Sequence, residues 1–250
     1  MSRLSPPRNA GSSIATVERP GAGPSLSAPV EPVTKGQVAR LVGGGVLIYG
    51  GLVVVGLIIT RALAGSTLIS DEASISRWFA AHRTGTWNQL THIGTMLSDT
   101  VTAIVLTALL VVLLRVWLGR WREPVVVLSA ILGELFIFLL VTNSIGRPRP
   151  PVVRLDAAPP TSSFPSGHTA AAVALYGCLA VILLRRMTQR ALARAIAVIC
   201  CCVPVIVGIS RVYRGMHYVS DVVFGAVGGG LWLLLVVTLL YSRRASAVTR

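Results

Sequence analysis

The sequence predicts an all-α bundle of six membrane-spanning helices, and three observations predict it. The chain is 53% hydrophobic and only 13% charged over 250 residues, a proportion that soluble domains of this size seldom reach. Six apolar runs approach the roughly 20 residues needed to cross a bilayer. The arginines fall in short segments between those runs, as they do in membrane proteins, so the net charge of +14 does not point to nucleic acid as a partner.

Residues 1–38 are rich in Pro, Ser, Gly and Ala and read as a disordered cytoplasmic tail. The first apolar run begins too late and is too long for a secretory signal. A membrane domain is expected over 39–242, with spans near 41–63, 101–118, 124–142, 168–184, 193–210 and 219–241. Residues 243–250 form a basic cytoplasmic C-terminus.

Within the spans, Pro204 should kink the fifth, which a membrane bundle tolerates. Glu134 lies mid-span in the third. An ionisable group at that depth is functional by default, or else a neutral, hydrogen-bonded acid packed in the bundle. Cys178, Cys200, Cys201 and Cys202 all sit in apolar runs and read as small buried hydrophobes. Gly225 and Gly229 have the spacing that lets helices approach closely within the bundle. A homodimer contact is the alternative reading.

The segment 65–100 is expected to hold short helices lying in the membrane interface. Ile75, Trp78 and Phe79 recur at helical spacing, and Trp87, Leu90 and Leu97 fit a second helical face. A plain connecting loop is the alternative. Fifteen of the 23 basic residues fall in the N-terminal tail, the 2–3 and 4–5 loops and the C-terminus. By the positive-inside rule both termini are then cytoplasmic, and the remaining loops face outward from the cell membrane.

Three polar clusters lie on that outward face: Gly146-Arg147-Pro148-Arg149-Pro150, Phe164-Pro165-Ser166-Gly167-His168, and Ser210-Arg211 with His217 and Asp221. His217 and Asp221, four residues apart at a helix start, share a face. The carboxylate can accept the proton on one imidazole nitrogen and leave the other free to attack. Ser166 and Gly167 bring a hydroxyl and backbone N–H groups to a helix N-terminus, a natural phosphate seat. His168, held there, can protonate a leaving oxygen. Arg147, Arg149 and Arg211 supply planar forks for phosphoryl oxygens, whereas Arg154 and Arg214 suit lipid headgroups. Arginines can neutralise a transferring phosphoryl group, so no metal site and no cofactor is expected.

The order and spacing of these clusters resemble the type 2 phosphatidic acid phosphatase superfamily, whose fold is shared with vanadium haloperoxidases. The family pattern is Lys-x6-Arg-Pro, then Pro-Ser-Gly-His, then Ser-Arg-x5-His-x3-Asp. The second and third motifs are complete here, and the likeness spans residues 40–241. The resemblance implies that His217 is the nucleophile forming a phosphohistidine, with Asp221 as its partner. It implies that His168 protonates the leaving group, and that Arg149, Ser166, Gly167 and Arg211 hold the phosphoryl oxygens. The family lysine would stand at position 142, where this chain has Thr142. Arg147, two residues from Arg149, can fill the missing charge, with Thr142 adding one hydrogen bond; weaker activity or a shifted substrate is the alternative.

The function expected from this resemblance is hydrolysis of a terminal phosphate from a membrane-held lipid (di)phosphate. A polyprenyl diphosphate is favoured; phosphatidic acid, phosphatidylglycerol phosphate and a prenyl-phosphate sugar phosphate are alternatives. A protein that binds lipid phosphates with little hydrolysis is a second class, supported by Thr142. A vanadate-dependent halogenating enzyme is a third, and six apolar spans argue against it.

Overall fold

The structure is a computed structural model and describes residues 33–241. Eight α-helices follow in order: α1 Lys35–Leu57, extended by a π-helical turn over Ile58–Ala62, α2 Thr67–Ala81, α3 Gly85–Met96, α4 Thr100–Leu118, α5 Arg122–Ser144, α6 Gly167–Arg186, α7 Arg190–Tyr213 and α8 Val219–Leu240. Six of them (α1 and α4 to α8) are long and apolar enough to cross a membrane. All six fall on the expected apolar runs, and α2 and α3 are the short helices expected between the first two spans. The expected tail lies outside the described residues over 1–32, as does the basic C-terminus.

Local chemistry sets the helix starts. Thr34 and Gln37 cap α1 reciprocally: the Gln37 amide donates to Thr34 Oγ1 at 3.2 Å and the Thr34 amide to Gln37 Oε1 at 2.9 Å. This box moves the start of α1 to Lys35, inside the stretch assigned to the tail. Asp99 caps α4 by accepting from the Thr102 amide at 2.7 Å, and Thr84 caps α3 through the Trp87 amide at 3.3 Å. Pro204 sits within α7, which continues to Tyr213.

Helix α6 is the centre of the bundle, packed on α5, α7 and α8. Val127, Ala130, Val141, Cys178, Ile182 and Val236 are buried between these elements. The outer faces are apolar too, with Val101, Ile104, Leu113 and Val116 of α4 exposed, because lipid replaces water as their solvent. Cys178 and Cys200 are buried as expected. Cys201 and Cys202 are not: they lie on the outward face of α7.

The close α6–α8 approach requires glycine. A Cβ on Gly225 would stand 2.5 Å from the Ser166 carbonyl oxygen, and one on Gly229 would stand 2.7 Å from that of Ala170. These glycines therefore serve an intramolecular helix contact. Gly225→Ala should push the Ser166–His168 turn off α8. The expected cost is about 1–3 kcal/mol of stability together with loss of activity. Gly50→Ala, where a Cβ meets nothing within 4 Å, should be neutral or slightly stabilising. Thermal unfolding in detergent and turnover of the two variants check this.

Strict alternation of the spans brings the end of α5, the start of α6, the end of α7 and the start of α8 to one face of the bundle, together with α2 and α3. Both short helices bury a polar side and expose an apolar one. Helix α2 buries Glu72 and Ser76 while Leu68, Ile75 and Trp78 stay exposed; α3 buries Thr91 and Thr95 while Trp87, Leu90 and Ile93 stay exposed. That inversion is expected where the outer solvent is a bilayer interface. Phe79 departs from the expected anchor face and stacks edge-on against Tyr213, with ring centroids 5.8 Å apart. Arg83, between α2 and α3, ties them to the bundle by donating to the carbonyls of Val153 at 2.7 Å and Tyr213 at 3.1 Å.

Candidate active site

The turn between α7 and α8 carries His217. It is made by Gly215, at φ 72°, in the left-handed region that other residues adopt at a cost. His217 is buried, and its Nδ1 lies 2.7 Å from the Ser163 carbonyl oxygen. A carbonyl only accepts, so Nδ1 carries the proton and Nε2 keeps its lone pair.

Asp221 Oδ2 stands 3.8 Å from the same nitrogen, beyond hydrogen-bond distance. The carboxylate was expected to take that proton directly; a backbone carbonyl does so instead. Asp221 acts on the imidazole through its charge and through the turn it holds. Its Oδ2 accepts from the Tyr218 amide at 2.8 Å and from the Ser163 hydroxyl, and its Oδ1 accepts from Arg147. Asp221 thus fixes Ser163, whose carbonyl fixes His217. Burial holds the His217 imidazole below the ordinary histidine range. Asp221 pulls it upward, and Arg211 and Arg149 push it further down. A neutral imidazole with a free Nε2 is the form that attacks.

Helix α6 starts at this point. Ser166 is its N-cap residue, and no side chain caps the helix, so its first-turn amides keep their anion-binding character. The Ser166 amide donates to the Asp221 carbonyl at 2.9 Å, which locks the start of α6 to α8. Ser166 Oγ lies 3.0 Å from Thr169 Oγ1, so the hydroxyl expected to meet phosphate is engaged within the helix. Gly167 is tight against Phe138, whose ring would be 2.8 Å from a Cβ there. His168 is half-buried, close enough to Arg211, His217, Asp99 and Asp156 to feel their charges.

Arg149 and Arg211 flank His217. Arg149 Nη1 donates to the Met216 carbonyl at 2.8 Å, and Arg211 Nη1 donates to Thr95 Oγ1 at 2.8 Å and to Asp156 Oδ2 at 3.0 Å. The Nε atoms of both are buried and meet no protein partner, and a buried donor of that kind favours an anion beside it. Burial lowers the Arg149 guanidinium below its usual value, opposed by Asp221 and reinforced by Arg154. Asp156 clamps Arg211 and Arg214 together, receiving Arg214 Nε at 2.8 Å and Nη2 at 2.5 Å. Burial would raise the Asp156 carboxyl, but hydrogen bonds from Arg214 and the charges of Arg211 and Arg214 hold it below the usual range. Arg214 is therefore a buried structural cation, not the headgroup contact the sequence suggested.

Two expected phosphate ligands lie elsewhere. Arg147 is buried, and its guanidinium is taken by protein carboxylates: Nη1 bonds Asp221 and Nη2 donates to Glu72 Oε2 at 2.7 Å. It does not supply the charge missing at position 142. Thr142 is buried on α5, and its hydroxyl donates to the Ser162 carbonyl at 3.4 Å. That contact links α5 to the turn that carries Ser163. Glu134 is buried close behind the same turn, sharing a small cavity with Phe138, Pro165 and Gly225, and its Oε1 meets no partner.

Glu72, Asp156 and Ser163 were not singled out from the sequence. Glu72 and Asp156 carry the only weak signal, as acids in a chain that has nine against 23 basic residues. Among the described residues, no three of His, Cys, Asp and Glu group as metal ligands.

Comparison with known proteins bears on the family and the fold. The profile of the PAP2 superfamily matches residues 123–245. The chain is 31% identical over 136 residues to a lipid A 1-phosphatase of Rhizobium etli, covering 51% of this chain and 52% of that protein. It is 38% identical over 89 residues to phosphatidylglycerophosphatase B of Bacillus subtilis, covering 34% of this chain and 44% of that protein. The chain thus spans about half the length of the curated relatives it matches. Among solved structures, the transmembrane PAP2-type phosphatidylglycerolphosphate phosphatase of Bacillus subtilis superposes with a TM-score of 0.70 at 25% identity, over 79% of this chain and 98% of that one.

Proposed function

Because the chain belongs to the PAP2 superfamily, as a multi-pass membrane protein, we propose that it is a lipid phosphatase working through a phosphohistidine on His217. One observation carries the reading: Nδ1 of His217 is tied to the Ser163 carbonyl, which leaves the lone pair on Nε2, with Arg149 and Arg211 close enough to act on the ring by their charges. Nε2 attacks the phosphorus of the terminal phosphate, and the bond from phosphorus to the leaving oxygen breaks. His168 gives that oxygen its proton. Arg149, Arg211 and the first-turn amides of Gly167 and His168 carry the phosphoryl charge. A water that passes its proton to His168 then attacks the phosphorus, breaks the P–N bond and frees inorganic phosphate. Asp221 stabilises the positive character that builds on His217 in the first step.

The arginines at the opposite ends of the spans, Arg120, Arg122, Arg185, Arg186 and Arg190, support termini in the cytoplasm and a site outside the cell membrane. The substrate is a lipid whose tail stays in the bilayer. A polyprenyl diphosphate is proposed first, since Arg154, exposed beside Arg149, suits a second phosphate. The names of the relatives add lipid A 1-phosphate to the candidates and favour phosphatidylglycerol phosphate among those already named.

The test is phosphate release by the purified full-length protein in detergent, across polyprenyl diphosphate, phosphatidic acid, phosphatidylglycerol phosphate and lipid A 1-phosphate. Turnover should persist in EDTA, and vanadate, which adopts the trigonal-bipyramidal shape of the transferring group, should inhibit. No release from any of these lipids, or strict dependence on added magnesium, would overturn the proposal.

A further inference from the structure

We infer that Glu72 on α2 is a positioning residue for His217, acting through Arg147 and Asp221, so that the seating of an interfacial helix sets the nucleophile. This rests on the phosphatase reading above.

Four buried or half-buried groups form a continuous chain of hydrogen bonds. Glu72 Oε2 accepts from Arg147 Nη2 at 2.7 Å, and Arg147 Nη1 bonds Asp221 Oδ1. Ser220 closes the ring: its hydroxyl accepts from Arg147 Nη1 at 2.7 Å and donates to Glu72 Oε2 at 3.0 Å. The Ser220 amide donates to Glu72 Oε1 at 2.6 Å. That amide is one of the first-turn donors of α8, which have no partner inside their own helix. Glu72 therefore caps α8 from a different helix while neutralising the arginine that holds Asp221. The Tyr218 ring covers the Arg147 guanidinium at 4.3 Å and keeps water from it.

The arrangement makes a specific electrostatic statement. Arg147 alone would place an uncompensated cation against Asp221 and weaken the negative potential that Asp221 sets at His217. Glu72 cancels that cation. The charged groups facing His217 directly are Asp221 from α8, Arg211 from α7, Arg149 from the segment after α5 and His168 from α6. Glu72 and Arg147 stand behind Asp221, so they bias the imidazole through it without touching substrate. The other side of α2, carrying Leu68, Ile75 and Trp78, is exposed and apolar. The helix that holds Glu72 is thus seated by the membrane surface.

The experiment compares wild type with Glu72→Gln, Arg147→Gln and the double variant, full-length and in detergent. It uses pH profiles of kcat and KM on the best lipid phosphate, and histidine-labelled NMR of the His217 ring among the chain's four histidines. Glu72→Gln should lower kcat by about 10–100-fold, the scale found for residues that orient metal ligands, with KM nearly unchanged. The acid limb of kcat, and the ring's titration, should move to lower pH by about one unit, because a net cation is left behind Asp221. Arg147→Gln should move both to higher pH. The double variant should return toward wild type, and it leaves neither charge alone should one of the single variants fail to fold.

Opposite shifts with restoration in the double variant support the assignment. Wild-type kcat and titration in Glu72→Gln overturn it. So does a kcat loss with neither limb nor titration moved, which marks a structural role only. If no protein turns over any lipid, the phosphatase reading fails, and the NMR titration still decides the role of Glu72.

Discussion

Replacing His217 with alanine should abolish phosphate release while the protein still folds, a loss on the order of 10⁶-fold if it matches removal of nucleophiles elsewhere. The site holds no substitute for its free nitrogen. His168 is the nearest candidate, but it sits at the start of α6 and is needed there as the acid for the leaving oxygen. The cysteines lie within α6 and α7, with two of them on the outer surface. His217 makes one hydrogen bond, donated by Nδ1 to the Ser163 carbonyl, and that carbonyl can bond water in the variant. A thermal midpoint near that of wild type, with turnover at background, is the expected pair of results. Substantial turnover by the alanine variant would remove His217 from the mechanism.

The second large effect is expected at Asp221. An asparagine there keeps the shape and loses the charge. In a catalytic triad, loss of the analogous charge costs about 10⁴-fold. Here the substitution does more. Asp221 accepts from Arg147, from the Ser163 hydroxyl and from the Tyr218 amide. An amide has one accepting oxygen, so its NH2 must confront one of those donors. Arg147 would retain only Glu72 and Ser220 as partners. Breaking a buried ion pair from one side costs about 3–5 kcal/mol, so Asp221→Asn should lower stability as well as rate. Ser163 should shift with it, since its hydroxyl loses a charged acceptor. A rate loss of about 10³–10⁴-fold together with a lowered thermal midpoint is the expected outcome of turnover and unfolding measurements. A stable variant within about tenfold of wild type would show that Asp221 neither holds the turn nor biases the imidazole.

The spans were legible because length and apolar composition are what a bilayer demands. The short helices α2 and α3 were partly legible: Ile75, Trp78 and Phe79 recur at helical spacing in one, and Trp87 and Leu90 in the other, but a plain connecting loop fits so short a pattern as well. The site was legible because His168, Arg149, Arg211, His217 and Asp221 are chemically uncommon neighbours of apolar runs, and the structure brings these five together. Other features had no residue-level signal. The acceptor for Nδ1 of His217 is a backbone carbonyl, which leaves no mark in a sequence. Glu72 lies far from the motifs in the chain and looks like the polar side of an interfacial helix. Arg147 and Arg149, two residues apart and each before a proline, cannot be told apart by type; only the fold shows that one faces two carboxylates and the other keeps a free Nε. The early start of α1 was readable in Thr34 and Gln37, whose spacing is a capping box, but their place in a tail rich in Pro and Ser hid it.

The central claim, that phosphate passes through Nε2 of His217, is tested most directly by trapping it. Wild type and His217→Ala are mixed with a lipid phosphate carrying a labelled terminal phosphate, quenched in base to preserve a phosphoramidate, and mapped by mass spectrometry. Label on His217 of wild type, lost in acid and absent from the alanine variant, is the expected result. Turnover without label on His217, or label on another residue, would contradict it.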